Sequence, residues 1–210
     1  MKLVGIFGGT FDPIHNAHLR LALEVKQAVG MDELRLMPAA IPPHKQPPMR
    51  GPHVRLQMLQ LALSNCPELA IDSRELDRDG PSFTFDTLHS IRAELGSQVS
   101  LCLVMGADSF ASFDRWYRWA EFLDLANLVV IMRPGVNKVF PESVSALLES
   151  SAASLNDLRE NPSGGIHLIQ LSMLPISSTE IRQQISQGES PQFLLPDSVW
   201  SFIQKNNLYR

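Results

Sequence analysis

The first forty residues alternate between a strand pattern and a helix pattern, and this order constrains the fold most. A short β-branched and apolar run at positions 2–7 predicts a buried strand that ends at Gly8 and Gly9. Apolar residues at helical spacing follow over 19–29, and Gly30 ends that pattern. Residues 34–37 predict a second strand. Strand, glycine turn, helix and strand in this order are typical of parallel strands joined through a helix.

The alternation continues along the chain and predicts an α/β fold, with a mainly parallel sheet covered by helices on both faces. The prolines of segment 38–52 exclude a helix or a central strand, so we expect a long, functional loop there. No linker or repeat divides the chain, and we expect a single domain over 1–210, with a small helical portion from about residue 175 onward. Further strands are expected at 69–71, 99–105, 128–132 and 166–171, and helices at 54–63, 82–95, 141–158, 178–187 and 196–205, with a short-helical segment at 114–124.

Composition excludes several classes of protein. The formal net charge of -4 disfavours a protein that tracks along DNA or RNA, which usually carries a basic surplus. The apolar run at 3–7 is too short for a signal peptide, and no stretch approaches the ~20 apolar residues of a membrane span. Cys102 lies in an apolar strand pattern and should pack as a small hydrophobe. We expect a cytoplasmic protein that binds neither nucleic acid nor membrane, in an oligomeric state that the sequence leaves open.

The turn after the first strand has the features of an anion site. Gly8 and Gly9 allow a tight turn and a close approach of backbone amides to a ligand. The helix that follows presents its N-terminal amides and the positive end of its dipole at the carboxyl end of the strand. His15 and His18 can donate hydrogen bonds to phosphate oxygens and can gain charge beside them. A histidine pair that is satisfied internally, or that binds a metal, is the alternative.

A second anion-binding feature lies near the C-terminus. Ser177 and Glu180 have the spacing of a capping box, so a helix should begin there. Amides, hydroxyls and the guanidinium of Arg182 at one helix start suit a polyphosphate. Considered alone, these residues are better explained by plain helix capping than by phosphate binding. The combination of two such helix starts in one α/β chain favours phosphate binding.

Both features resemble signatures of the nucleotidyltransferases that carry an H-x-G-H motif. Residues 8–18 are Gly-Gly-Thr-Phe-Asp-Pro-Ile-His-Asn-Ala-His, and 176–182 are Ile-Ser-Ser-Thr-Glu-Ile-Arg. The resemblance implies a Rossmann-like domain with a C-terminal helical portion. It spans nearly the whole chain, and 141–165 contributes least. Segments that narrow it to the bacterial nicotinate-nucleotide adenylyltransferase family lie at 42–45, 82–88, 106–110, 116–119 and 130–135.

The resemblance implies a reaction in NAD biosynthesis, in which ATP and nicotinate mononucleotide give nicotinate adenine dinucleotide and pyrophosphate. The attacking phosphate is already anionic, so the protein has to align two repelling phosphates and stabilise the developing charge. Mg²⁺ is expected with the ATP phosphates rather than at a protein metal site. Motif positions imply that His15, His18 and Arg182 are catalytic, and that the ATP phosphates contact Gly8, Gly9, Thr10, Phe11, Ser177, Ser178, Thr179 and Arg182.

The resemblance also implies a site for nicotinate mononucleotide. Trp116 would stack on the pyridine ring and Thr84 would bind the carboxylate. Asp108 would hold ribose hydroxyls or help to position the nucleotide. Core packing of Trp116 in an aromatic cluster is a serious alternative, and Lys45 can equally be a solvated surface side chain. Asp12 and Asp86 can be turn and cap residues. The implied set is Thr10, His44, Lys45, Phe83, Thr84, Asp108 and Trp116.

One position departs from the motif, because Ala17 stands where the family has glycine. We expect the added methyl to be tolerated with a small shift of ATP. Three other interpretations stay open: a phosphopantetheine adenylyltransferase or cytidylyltransferase, a non-catalytic nucleotide-binding domain, and a fragment of a class I aminoacyl-tRNA synthetase.

Overall fold

The structure, a computed structural model, describes residues 1–40, 48–78, 82–135 and 139–210. His44 and Lys45, which the sequence implies for the mononucleotide site, lie outside the described residues. Six parallel strands form one sheet in the order β3-β2-β1-β4-β5-β6. The predicted parallel α/β fold is confirmed, with each strand predicted to within about two residues. The strands are β1 (Lys2–Gly9), β2 (Glu33–Pro38), β3 (Ala70–Ile71), β4 (Val99–Gly106), β5 (Asn127–Met132) and β6 (Ile166–Gln170).

Helices cover both faces of the sheet, as predicted. Alternate residues of each strand point to opposite faces, so Leu3 joins one buried apolar cluster and its neighbour Val4 joins the other. Cys102 is fully buried in the first cluster, as expected. The first face carries α1 (Asn16–Val29), α2 (Pro52–Leu63), α7 (Leu155–Glu160), α8 (Ser178–Ser186) and α9 (Asp197–Lys205), and the second carries α3 (Thr84–Leu95), α4 (Ala107–Phe110), α5 (Phe122–Leu125) and α6 (Glu142–Ser151).

The single helix predicted over 141–158 is wrong, because the chain forms two helices there. Ala152 leaves helical geometry at ψ 131° and pairs with Ile166 of β6, and the amide of Ala153 donates to the carbonyl of Ile166 at 2.9 Å. Ser154 then begins α7 with a capping box to Asp157. A backbone contact with the sheet edge therefore interrupts a continuous helical pattern.

The starts of three helices also differ from the sequence prediction, and α2 begins at Pro52 rather than at position 54. Helix α1 begins at Asn16 rather than at position 19, directly after the extended residue His15. Helix α3 begins at Thr84 rather than at position 82, after the N-cap residue Phe83, and no side chain caps it. The segment predicted as short-helical consists of the 3-10 turns Phe113–Arg115 and Trp119–Glu121, followed by α5.

The strand order places a crevice at the carboxyl edge of the sheet. Strands β1 and β4 are neighbours, with β2 and β3 continuing on one side and β5 and β6 on the other. Helix α1 leaves the end of β1 over one face, while α3 lies on the other face. Ligands of open α/β sheets bind where the strand order reverses in this way.

Candidate active site

The loop from Gly8 to His15, here called the glycine loop, joins β1 to α1 at this crevice. A Cβ on Gly9 would lie 2.4 Å from the ring of Phe11, so close packing of that ring requires glycine. A Cβ on Gly8 would meet only the methyl of Met37, at 3.8 Å, which is an ordinary contact. Phe11 is buried and has a φ of +48°, in the left-handed region. Gly9 thus serves the packing of the loop, while Gly8 keeps its backbone open to a ligand.

His15 and His18 stack on each other at the start of α1. Their ring centroids are 3.7 Å apart at an interplanar angle of 20°, and the ring of Phe11 lies perpendicular to that of His18 at 5.2 Å. His15 is only 4% exposed, and its burial lowers its pKa to about 4. Its Nδ1 has no hydrogen-bond partner among the described residues. His15 is therefore neutral at neutral pH in the unliganded protein and offers a buried nitrogen to a polar ligand.

The two motif regions contact each other directly, although 170 positions separate Arg182 from Asp12. The Nη1 of Arg182 donates to the backbone carbonyl of Asp12 at 2.7 Å. The hydroxyl of Ser178 donates to the backbone carbonyl of Pro13 at 2.9 Å. The start of α8 is thereby docked onto the glycine loop, which brings two helix N-termini and an arginine to one place.

The other polar groups of the second motif have local partners. Ser177 is the N-cap residue of α8, and its hydroxyl accepts from the amide of Glu180 at 3.2 Å. The hydroxyl of Thr179 accepts from Nη2 of Arg182 at 3.4 Å. Ser177 therefore caps α8 in this structure, and its hydroxyl would have to bind phosphate while it keeps this capping hydrogen bond.

The side chain of Arg55 in α2 supports the backbone of the glycine loop, a role that the sequence did not predict. The side chain is fully buried, and its guanidinium donates to the carbonyls of Thr10 at 2.7 Å, Ala40 at 3.0 Å and Arg50 at 3.1 Å. Burial lowers its pKa. Its only signal in the sequence is an arginine within the apolar pattern of a helix. The arginine holds together the glycine loop and the two described ends of the 38–52 segment.

The residues implied for the mononucleotide lie on the neighbouring part of the carboxyl edge. Thr84 starts α3, and Asp108 follows β4 and is exposed, 4.0 Å from the guanidinium of Arg133. Trp116 is half-buried. The centroid of its ring lies 5.6 Å from that of Phe113 and 5.9 Å from that of Phe122 in α5, so the expected aromatic cluster exists. Trp116 therefore combines core packing with a partly accessible surface.

Phe83 contributes a second aromatic surface beside α3. Its ring lies 4.6 Å from that of Tyr117, which is exposed and was not singled out from the sequence. The guanidinium of Arg118 lies 4.1 Å from the ring centroid of Phe85. Aromatic and cationic groups thus surround the start of α3, where its amides are available to an anion.

In the described ranges, no group of three or more His, Cys, Asp or Glu side chains is arranged to hold a metal ion. Among the same residues, no helix is both long and apolar enough to cross a membrane.

Comparisons with known proteins identify the family of this chain. The cytidylyltransferase-like family model matches residues 6–184. A protein of Cellvibrio japonicus (strain Ueda107), named a probable nicotinate-nucleotide adenylyltransferase, is 51% identical over 207 residues, covering 99% of this chain and 98% of its own. A protein of Pseudomonas putida (strain W619) with the same name is 42% identical over 210 residues, covering 100% and 96%.

A solved structure shares the fold at low sequence identity. The nicotinic acid mononucleotide adenylyltransferase of Plasmodium falciparum, complexed with NaAD, superposes with a TM-score of 0.74 at 20% identity. The match covers 100% of this chain and 98% of that one. This match confirms the fold, and the relatives that match over nearly their whole length confirm the family resemblance found in the sequence: the chain belongs to the nicotinate-nucleotide adenylyltransferase family.

Proposed function

We propose that this enzyme transfers the adenylyl group of ATP to nicotinate mononucleotide, in NAD biosynthesis. The products are nicotinate adenine dinucleotide and pyrophosphate. The observation that carries the proposal is the docking of α8 onto the glycine loop through Arg182 and Ser178. This contact gathers the stacked histidines, one arginine and two helix N-termini at the crevice, in a chain that matches a relative of this family over 99% of its residues.

The chemistry needs alignment and charge stabilisation more than it needs a protein nucleophile. A phosphate oxygen of the mononucleotide forms a bond to the α-phosphorus of ATP, and the bond from that phosphorus to the bridging oxygen breaks. The electron pair of the broken bond leaves with pyrophosphate. Thr10 and His15 hold the reacting phosphates in this proposal, and His18 stabilises the α-phosphoryl group as its charge develops.

The triphosphate tail is assigned to the start of α8. Arg182, Ser177, Ser178 and Thr179 supply the cation, hydroxyls and amides that suit phosphate oxygens. Nucleotidyltransferases depend in general on a divalent cation, and we propose Mg²⁺ for this one, bound to the ATP phosphates and entering with the substrate. Gly8 and Phe11 lie on the same loop and let the nucleotide approach the backbone.

The mononucleotide is assigned to the other side of the crevice. Trp116 and Phe83 offer aromatic faces to the pyridine ring. The hydroxyl and amide of Thr84 suit its carboxylate, and Asp108 suits ribose hydroxyls. His44 and Lys45 of the proline-rich segment complete the set by their positions in the sequence. ATP and nicotinate mononucleotide are therefore the proposed substrates, and the cytoplasm is the proposed compartment.

One assay tests the reaction against its rivals. Pyrophosphate release is followed with ATP plus nicotinate mononucleotide, nicotinamide mononucleotide, phosphopantetheine, or no acceptor. We expect the fastest release with nicotinate mononucleotide. Equal release with every acceptor, or none with any, would refute the proposal. The variant His18→Ala should lower kcat by roughly a hundredfold or more while the protein stays folded, and unchanged turnover would remove His18 from its assigned role.

A further inference from the structure

The side chain of Asp12 joins three segments that are distant in sequence. Its Oδ1 accepts from the phenol of Tyr209 at 2.5 Å, and its Oδ2 accepts from the amide of Met49 at 2.7 Å. Asp12 is 4% exposed and Tyr209 is 3% exposed. A buried carboxylate is unfavourable unless hydrogen bonds compensate for its lost hydration, so both contacts matter to this arrangement.

Each segment bears on the proposed site. Asp12 lies in the middle of the glycine loop, and its backbone carbonyl accepts from Arg182. Met49 belongs to the described end of the 38–52 segment, whose sequence carries Lys45. Tyr209 lies four residues beyond the end of α9, next to the last residue of the chain. The phenol of Tyr209 therefore links the C-terminal segment to Asp12, the residue whose carbonyl binds Arg182.

The chain adopts unfavourable backbone geometry to deliver this phenol. Tyr209 has a φ of +65° and Asn207 a φ of +49°, a region that residues with a side chain rarely adopt. The guanidinium of Arg50 covers the ring at 5.0 Å from its centroid. Burial, and then the neighbouring carboxylate, raise the pKa of Tyr209, so its phenol remains a hydrogen-bond donor at neutral pH.

We propose that Tyr209 is a positioning residue for the adenylyl transfer. It acts through Asp12 to hold the glycine loop in the orientation in which Arg182 and the histidines meet the phosphates. The inference rests on the proposed function, and it extends the site to the far C-terminus of the chain. Asp12 itself transmits the constraint, since its side chain bonds the phenol while its backbone bonds the arginine.

The test compares two single-hydroxyl deletions in the same C-terminal segment. Tyr209→Phe keeps the buried ring and the contact with Arg50 but removes the donor to Asp12. Ser198→Ala is the matched control, because the hydroxyl of Ser198 donates to the carbonyl of Leu61 at 3.0 Å and ties α9 to α2 without touching the glycine loop. We expect Tyr209→Phe to lower kcat/KM for ATP by about tenfold, the scale of a lost hydrogen bond to a charged group.

The control should stay within about twofold of the wild type in kcat/KM for ATP. Equal kinetic effects of the two variants would overturn the inference, since both lose one tether of the same segment. If Tyr209→Phe does not fold, Asp12→Asn weakens the same hydrogen bond from its other end and should give the same loss. A folded Asp12→Asn variant with wild-type kcat/KM would also overturn the inference.

Isothermal titration calorimetry of ATP binding distinguishes a failure of the positioning role from a failure of the proposed reaction. Absence of pyrophosphate release by the wild type would refute the reaction alone. ATP affinity would still be compared between wild type and Tyr209→Phe, or Asp12→Asn where the former does not fold. In that case a roughly tenfold loss of ATP affinity supports the positioning of the glycine loop by Tyr209, and unchanged affinity refutes it.

Discussion

The buried, neutral state of His15 predicts a specific dependence of stability on pH. Burial lowers the pKa of His15 from 6.5 to about 4, which favours the neutral ring by about 3 kcal/mol in the folded protein relative to the unfolded chain. Because the folded pKa is lowered, the unfolded chain takes up the proton first as pH falls. Stability contributed by the neutral ring is complete above the unfolded pKa and is lost progressively as pH falls toward about 4. Between about pH 7.5 and pH 5 the expected loss is about 2 kcal/mol.

Urea unfolding of wild type and His15→Gln across this pH range measures the effect. Glutamine keeps a polar side chain of similar length but does not titrate, so the difference between the two unfolding free energies should change by about 2 kcal/mol. His89→Gln, at an exposed position of α3, controls for the removal of a histidine as such. Parallel pH profiles of wild type and His15→Gln would refute the argument that burial keeps His15 neutral.

The same shift predicts that a phosphate ligand brings a proton with it. A phosphate group beside His15 favours the charged imidazole and raises its pKa toward the working pH. ATP binding measured by calorimetry at about pH 6, in buffers of different ionisation enthalpy, should report proton uptake that His15→Gln lacks. Equal proton uptake by the two proteins would place the titrating group elsewhere.

Four further variants separate packing from ligand contact. Gly8→Ala should keep the free energy of unfolding within about 1 kcal/mol of the wild type, yet raise the KM for ATP about tenfold. Gly9→Ala should lower the free energy of unfolding by about 1–3 kcal/mol, because its methyl meets the ring of Phe11. Thermal melts and ATP titrations distinguish the two variants. Trp116→Phe should raise the KM for nicotinate mononucleotide about tenfold with little change for ATP, and equal changes for both substrates would contradict stacking. Ala17→Gly should cost up to about 1 kcal/mol at the helix start and change the KM for ATP less than about threefold; a much larger kinetic change would show that the methyl matters.

Local patterns predicted the architecture because the burial of apolar strand and helix faces is the main force that stabilises such a sheet. Every strand of the sheet has an apolar pattern that its own residues reveal, and the glycine turn marks the carboxyl end of β1. The break at Ala152 was missed because its cause is a backbone pair with Ile166, fourteen positions away on another element. The apolar spacing over 141–158 is helical throughout and does not predict that contact.

The supports of the site were missed for a related reason. Arg55 interacts with backbone carbonyls, which every residue possesses, so the identity of its partners is invisible in the sequence. Tyr209 meets Asp12 across 197 positions. Sequence motifs identify the groups that suit phosphates, but the side chains that orient those groups carry no local signature.

The contact between the two motifs explains why an arginine suits position 182 better than a lysine. A guanidinium has five N–H donors in a fixed plane, so one edge can bind the carbonyl of Asp12 while other donors serve phosphate oxygens. This contact to the loop fixes the plane of the guanidinium, so the proposed binding of ATP phosphates there would cost less entropy. A lysine has a compact ammonium on a flexible stem and lacks that planar fork. The orientation of Arg182 therefore depends on Asp12, and through Asp12 on the phenol at the far end of the chain.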